Sequence, residues 1–168
     1  METPYRIPDG AAVGHVHLKV SDLERAIAFY TGVLGFELMQ RFGDSAAFLS
    51  AGGYHHHVGL NTWTSRGGPP PARNATGLYH VAFLYPDRRS LANALARVLA
   101  AGVPLQGASD HGVSEAIYLA DPDGNGLELY RDRPRDEWPL DRDGRLAMVS
   151  DPLDLEALLR ESDDGGAA

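Results

Sequence analysis

The sequence contains no cysteine among its 168 residues. Disulfides, iron–sulfur clusters, thiolate-bound zinc and a cysteine nucleophile are therefore excluded, and histidine and carboxylate side chains are the strong metal ligands that remain. Basic residues are also few. Against 23 Asp and Glu stand 15 Lys and Arg, which gives a formal net charge of -8, and there is no basic run. This charge would repel a phosphate backbone and an anionic bilayer, so we expect neither nucleic acid nor membrane partners.

Long apolar runs are missing as well. No stretch approaches the roughly 20 apolar residues that a membrane span needs. The opening METPYRIPDG has neither the basic region nor the apolar region of a secretory signal. We therefore expect a cytoplasmic protein. With 43% hydrophobic residues, the chain can build the core of one compact globular domain made of two small modules.

The first half of the chain predicts the order β-α-β-β-β. Residues Val13 to Val20 alternate between apolar and polar side chains, which indicates a strand with imidazoles on one face. A short amphipathic helix follows, capped by Ser21 or Asp22 and ended by Gly35. Three further strands are predicted, over Glu37 to Phe42, Ala46 to Ser50 and His55 to Trp63.

A stretch rich in glycine and proline separates this half from a second, similar half. Residues 64–76 read TSRGGPPPARNAT, which can hold neither helix nor strand and is predicted to be a linker. A strand over Leu78 to Leu84 and a helix from Asp87, closed by Gly102, then repeat the earlier order. The remaining strands of this half are predicted around Leu105, at Glu115 to Leu119 and at Gly126 to Tyr130.

The two halves form an internal repeat. His15 precedes Asp22 by seven residues and His80 precedes Asp87 by the same spacing, so each copy has a histidine on its opening strand. Neither copy can bury its sheet alone. We therefore expect an α+β fold in which paired βαβββ modules curl into a half-open barrel around a shared cavity. The predicted divisions are an N-terminal arm (1–12), module one (13–63), the linker (64–76), module two (77–133) and a C-terminal extension (134–168).

The C-terminal extension is charged and rich in turns up to a predicted helix from Asp151 to Arg160. Its start, DPLD, resembles a helix N-terminus with proline at the first helical position. The last residues, DDGGAA, are expected to be disordered. The apolar stripe of the helix, which we expect to pack on the domain or on a neighbouring subunit, consists of Leu155, Leu158 and Leu159.

Three residues of the repeat could bind a metal. His15 and His80 occupy matching positions on the two opening strands. Glu128 lies between the apolar Leu127 and Leu129, so its carboxylate points to the opposite face of the strand from theirs. On a cavity face, that buried charge needs a cation. Two neutral imidazoles and one carboxylate leave coordination positions open, an arrangement typical of non-haem iron(II) oxygenases.

The first half offers no carboxylate for a symmetric site with four ligands. No Asp or Glu occurs from Ser45 to Ser65. We interpret His55-His56-His57 and Asn61 as occupying the place that Glu128 fills in the second half. A third histidine ligand, which would favour zinc or nickel, therefore stays open as an alternative.

A family resemblance is carried by three segments, which extend over about Val13 to Arg133. They are HVHLKVSDLERAIAFYTGVLGF, GLYHVAFLYPD and DHGVSEAIYLADPDGNGLELY. With these segments the chain resembles the vicinal oxygen chelate (glyoxalase/bleomycin resistance/dioxygenase) superfamily, and particularly its type I extradiol ring-cleavage dioxygenases. FYTGVLGF and LADPDGNGLELY mark the superfamily, whereas GYHHHVGLN and DHGVSEAIY resemble the extradiol dioxygenases more narrowly. The resemblance implies iron(II) held by His15, His80 and Glu128.

The resemblance also implies roles for three further histidines and one tyrosine. His56 would be the acid–base histidine that accepts a catechol proton, whereas its two histidine neighbours would be structural. His111 and Tyr118 would orient the substrate ring and polarise oxygen. His17 shares the face of His15 but stands two residues from the repeat position, so it would line the substrate pocket and not bind the metal.

The expected activity is that of an iron(II)-dependent extradiol dioxygenase, which cleaves a catechol-like aromatic ring with O2. One alternative is a non-redox isomerase or lyase of the glyoxalase type, in which manganese, nickel or zinc acts as a Lewis acid. Another is a resistance-type protein that sequesters a small molecule, although such a protein needs no metal ligands. The expected partners are an aromatic small molecule and O2, and a homo-oligomer is compatible with the sequence.

Overall fold

The computed structural model describes residues 4–72 and 74–163. Within these residues, no helix has both the length and the apolar character needed to cross a membrane. The disorder predicted for DDGGAA concerns residues 163–168, most of which lie outside the described ranges, so it stays a prediction.

The first half of the chain folds into a four-stranded mixed sheet. Its strands are β1 (Val16–Lys19), β2 (Glu37–Phe42), β3 (Ala46–Ser50) and β4 (Val58–Asn61). Their order across the sheet is β1-β4-β3-β2, with β1 and β4 parallel and the other pairs antiparallel. Between β1 and β2 the chain forms α1 (Leu23–Ala28) and a π-helical stretch (Phe29–Val33). Asp22 caps α1, because its side chain accepts a hydrogen bond from the Arg25 N–H at 3.0 Å.

The second half forms a five-stranded sheet with the same local order. Its strands are β5 (Val81–Leu84), β6 (Gly107–Asp110), β7 (Ser114–Ala120), β8 (Gly126–Asp132) and β9 (Asp151–Pro152). Their order is β5-β8-β7-β6-β9, with β5 and β8 parallel. Helix α2 (Arg88–Ala100) connects β5 to β6, and Asp87 caps it by accepting from the Ser90 N–H at 2.7 Å. A 3-10 turn (Arg135–Glu137) follows β8.

Several predicted elements are confirmed, and three strands, β1, β4 and β5, are shorter than predicted. The bounds of β2 and β3 and the cap of α2 agree with the sequence patterns. His15 precedes β1, and His55 and His56 lie in an irregular segment before β4. The chain joins the sheet only at His57, which donates its N–H to Leu49 O (2.8 Å) and accepts from the Val16 N–H (3.0 Å). The strand predicted from His55 therefore begins later.

The predicted start of the C-terminal helix is wrong. Asp151 and Pro152 form β9, which pairs with β6 and is the edge strand of the sheet. Proline is tolerated there because an outer strand needs no further donor on its open side. The helix, α3 (Leu155–Leu159), begins after Asp154, whose side chain accepts from the Ala157 N–H at 2.9 Å. Leu158 is fully buried in the common core.

The two halves share one hydrophobic core and a polar joint. Asp123, in the loop between β7 and β8, accepts hydrogen bonds from Ser21 N at 2.9 Å and Ser21 Oγ at 2.5 Å. Asp121 in the same loop accepts from the Tyr30 hydroxyl at 3.1 Å. The architecture is therefore α+β, with two curved βαβββ sheets that are not closed into a barrel. The buried side chains of the core include Leu18, Tyr30, Leu60, Leu91, Leu95 and Leu129.

Candidate functional site

His80 and Glu128 meet at the edge of the second sheet. Glu128 lies on β8 opposite Ala82 of β5, and His80 directly precedes β5. His80 Nε2 lies 2.9 Å from Glu128 Oε2. Gly126 permits this approach, because a Cβ atom there would lie 3.2 Å from the His80 Cα and 2.2 Å from the Tyr79 carbonyl oxygen. The sheet thus holds a nitrogen and an oxygen donor next to one another.

Tyr118 and His111 extend this pair into one network. Tyr118 lies opposite Glu128 in the β7–β8 ladder, and its hydroxyl oxygen is 3.4 Å from Glu128 Oε1. The same hydroxyl is 2.7 Å from His111 Nε2. Burial, followed by the nearby Glu128 charge, raises the pKa of Tyr118 to about 12. Tyr118 therefore keeps its proton at neutral pH.

A second group of side chains lies on the first sheet. The rings of His15 and His56 are 4.5 Å apart, and Phe48 packs on His56 at 5.0 Å between ring centroids. His55 Nδ1 lies 2.8 Å from His56 Nδ1. Desolvation, and then the neighbouring charges of His15 and His55, lower the pKa of His56. The His56 ring is therefore neutral at pH 7.

His57 points away from this group. Its Nδ1 lies 3.1 Å from Ser50 Oγ and 3.3 Å from the Ala51 N–H. These contacts tie the turn before β4 to the end of β3. His57 thus has a structural environment, whereas His56 shares the environment of His15.

His17 lies in the first sheet directly beside the position that corresponds to Glu128 in the second. Val16 and His17 pair with Val58 and Gly59, just as Val81 and Ala82 pair with Leu127 and Glu128. The structural counterpart of Glu128 is therefore Gly59, and the sequence interpretation that assigned this place to His55-His56-His57 and Asn61 is wrong. The reason is strand register, which follows from pairing and is not visible in residue type.

The glycine at this position leaves room for the imidazole. A Cβ atom on Gly59 would lie 2.9 to 3.1 Å from atoms of the His17 ring. The ring also lies 5.4 Å from Trp63 and 6.0 Å from Phe48, between centroids. Burial, and then the charge of His15, lower the pKa of His17. The surface formed by His17, Phe48 and Trp63 was not predicted from the sequence, in which only His17 was expected to line the pocket.

The two groups do not form one metal site within the described chain. Among residues 4–72 and 74–163, no three His, Asp or Glu side chains lie close enough together to hold a metal ion. The end of β1 that contacts the second half is the Lys19 end, where Lys19 O accepts from Asn125 Nδ2 at 3.5 Å. His15 lies at the other end, about 13 Å away along an extended chain. Two of the three predicted ligands, His80 and Glu128, are therefore together, and the third is with His56.

The His80–Glu128 pair has donors of the type that a divalent cation binds. The pair is held through a proton on His80 Nε2, and a metal ion displaces such protons when imidazole becomes a ligand. Imidazole and carboxylate together suit iron, manganese, nickel or zinc. The pair fits a metal by its chemistry, but two ligands do not make the predicted set of three.

Comparisons with known proteins identify the family. The family described as the Glyoxalase/Bleomycin resistance protein/Dioxygenase superfamily matches residues 12–129. The chain belongs to this superfamily. Solved structures agree on the fold: a glyoxalase/dioxygenase from Nostoc punctiforme has a TM-score of 0.62 at 19% identity, covering 79% of this chain and 100% of that one. A lactoylglutathione lyase from Agrobacterium tumefaciens has a TM-score of 0.57 at 24% identity, covering 74% and 96%.

Curated relatives within the superfamily are dioxygenases by name. The chain is 43% identical over 158 residues to the catechol-2,3-dioxygenase of Bacillus subtilis (strain 168), covering 94% of this chain and 54% of that protein. It is 29% identical over 120 residues to biphenyl-2,3-diol 1,2-dioxygenase 3 of Rhodococcus globerulus, covering 71% and 63%. The chain thus spans less than two thirds of the length of either relative.

Proposed function

We propose that this chain is an extradiol dioxygenase, which uses divalent iron to cleave a catechol-like ring with O2. The observation that carries the proposal is the network of His80, Glu128, Tyr118 and His111, in which a ligand pair adjoins two polar groups that can contact substrate. The 43% identity to a catechol-2,3-dioxygenase over 94% of this chain supports the same reaction class.

The proposed iron ligands are His80, Glu128 and His15. When bound, iron would supply Lewis acidity and a common site for both reactants. His15 needs to approach the other two ligands, either by closure of the two sheets or from a second copy of the chain. Counting iron per chain in the isolated protein, alongside its molecular mass in solution, separates these two routes.

The residues around the ligands have distinct proposed tasks. The neutral His56 ring would accept a proton from a catechol hydroxyl, since its lowered pKa leaves a nitrogen lone pair free at pH 7. Tyr118 would orient the ring as a neutral phenol, whose oxygen can accept a hydrogen bond from a substrate hydroxyl, since its raised pKa keeps its own proton in place. His17, Phe48 and Trp63 would form an apolar wall against the aromatic substrate.

Anaerobic reconstitution followed by oxygen uptake tests the proposal. The protein is loaded separately with iron(II), manganese(II), nickel(II) and zinc(II), and O2 consumption is measured with a panel of catechols. Uptake that depends on iron(II) and produces a yellow ring-fission product supports the proposal. Metal binding without oxygen uptake would favour a non-redox isomerase or lyase, and absence of any metal binding would favour a protein that sequesters small molecules. His57→Asn serves as a control, since His57 lies outside the network.

A further inference from the structure

The segment that precedes β9 is bonded to His111 in both directions. The Val149 N–H donates to the His111 carbonyl at 3.1 Å, and the Val149 carbonyl lies 2.9 Å from His111 Nδ1. A carbonyl oxygen can only accept a hydrogen bond. The contact therefore requires a proton on His111 Nδ1. In a neutral ring, the other nitrogen then carries none.

The second nitrogen of the same ring faces the site. His111 Nε2 lies 2.7 Å from the Tyr118 hydroxyl, so a bare Nε2 accepts the single phenolic proton. The Tyr118 hydroxyl is farther from Glu128 Oε1, at 3.4 Å, and has no second proton to donate. Glu128 Oε1 thus receives no hydrogen bond from Tyr118.

We propose that the segment 147–150 of the C-terminal extension belongs to the site as a positioning element. The Val149 carbonyl holds His111 as the Nδ1–H tautomer, which turns the Tyr118 proton toward His111 and away from Glu128. Glu128 is then free to bind a cation, and the Tyr118 oxygen offers a lone pair to a substrate hydroxyl. The proposal rests on the proposed function only in taking this network as the site.

The segment is held at this place by several contacts. Gly112, in the turn after β6, has a φ of 73°, and a Cβ atom there would lie 2.8 Å from Pro139 Cγ and 3.3 Å from Val149 Cγ2. Ser150 Oγ lies 2.9 Å from Ser109 Oγ on β6. The Val149 side chain is 43% exposed, so burial of that side chain does not explain its position. Val149 is held in place through its backbone N–H and carbonyl groups, which both contact His111.

The tautomer of His111 can be measured directly. The full chain, labelled with 15N and 13C in its histidines, is examined by NMR at about pH 8, above the pKa of about 6.5 of an unperturbed imidazole. The His111 signals are assigned by their loss in His111→Gln. We expect His111 as the Nδ1–H tautomer. A proton on Nε2, or an imidazolium, overturns the proposal. This NMR measurement needs neither metal nor substrate, so absence of dioxygenase activity would not affect its result.

A variant with a loosened segment tests the cause. Ala147, Met148, Val149 and Ser150 are all replaced by glycine, which keeps chain length and α3 but weakens the fixed position of the carbonyl. We expect the Nε2–H form of His111 to rise from a trace to a substantial fraction. Unchanged Nδ1–H in the folded variant overturns the role of the segment. Met148→Gly alone is the control, because Met148 is 58% exposed. Should the fourfold variant unfold, the tautomer of His111 in the unaltered chain still tests the proposal, because a proton on Nε2 overturns it.

Discussion

Gly59 and Glu128 occupy equivalent positions in the two sheets. Gly59 pairs with His17, and Glu128 pairs with Ala82. One sheet thus presents an imidazole over a glycine, and the other presents a carboxylate beside a small side chain. This asymmetry leaves the second sheet as the part that holds a nitrogen and an oxygen donor together.

Metal retention should depend on this second sheet. We expect His80→Ala and Glu128→Gln each to reduce bound iron from about one per chain to a small fraction, because two-histidine, one-carboxylate sites rely on every ligand. Iron is counted after anaerobic reconstitution and desalting. His15→Ala should have the same effect if the first sheet supplies the third ligand. Full iron content in His80→Ala or Glu128→Gln would contradict the ligand assignment. Loss of iron in His17→Ala but not in His15→Ala would show that His17, and not His15, is the third ligand.

Gly59→Ala should displace the His17 ring. The new methyl group would lie 2.9 to 3.1 Å from ring atoms, closer than real contacts allow. Overpacking of this kind costs about 1–3 kcal/mol. The change is measured by thermal unfolding and by tryptophan fluorescence, since His17 contacts Trp63. Gly32→Ala is the matched control, because nothing lies within 4 Å of a Cβ atom there. Equal stability of the two variants would show that the His17 ring gives way freely.

His56→Asn should slow turnover and keep bound iron. Loss of a general acid–base group typically lowers the rate by about 10²- to 10⁴-fold. In the unaltered protein the pKa of His56 is lowered, so its activity should persist in mildly acidic solution and fall only when the His56 ring gains a proton. Steady-state O2 uptake across pH measures both effects. His57→Asn and His55→Asn should cost much less, and unchanged turnover in His56→Asn would exclude the proton-transfer role.

Leu158→Ala should destabilise the whole domain. Leu158 is fully buried, and α3 packs on α2, so the cavity should cost about 2–5 kcal/mol. Denaturant unfolding measures the loss, with Glu156→Ala on the exposed face as control. Truncation after Trp138 should lower the melting temperature further or change the oligomer size. A truncated chain with unaltered melting and size would mean that the extension is dispensable for folding.

The sequence predicted those elements whose causes are local. The strand over Glu37 to Phe42, which ends before the turn residues Gly43 and Asp44, and the capping position of Asp87 depend on neighbours in the chain, and both agree with the structure. The repeat of His15 and His80 also located the opening strands to within a few residues. The family resemblance rested on the same segments, and the matching family model extends over residues 12–129.

Features that depend on distant partners could not be predicted. Asp151 and Pro152 form a strand only because the edge of β6 is available, and without that partner they resemble a helix start. The equivalence of Gly59 and Glu128 requires the register of two sheets. The separation of His15 from His80 depends on how the sheets pack. The Val149 carbonyl gives no sequence signal at all, since every residue carries the same backbone group.

The joint between the two halves also affects how the chain unfolds. Asp121 and Asp123 are buried, and their donors Tyr30 and Ser21 belong to the other half. The second half alone would leave these carboxylates without those donors, and either half alone would expose the shared core. The repeat is therefore an arrangement within one cooperative unit, and a cleavage in the linker would leave two fragments that still need each other to stay folded.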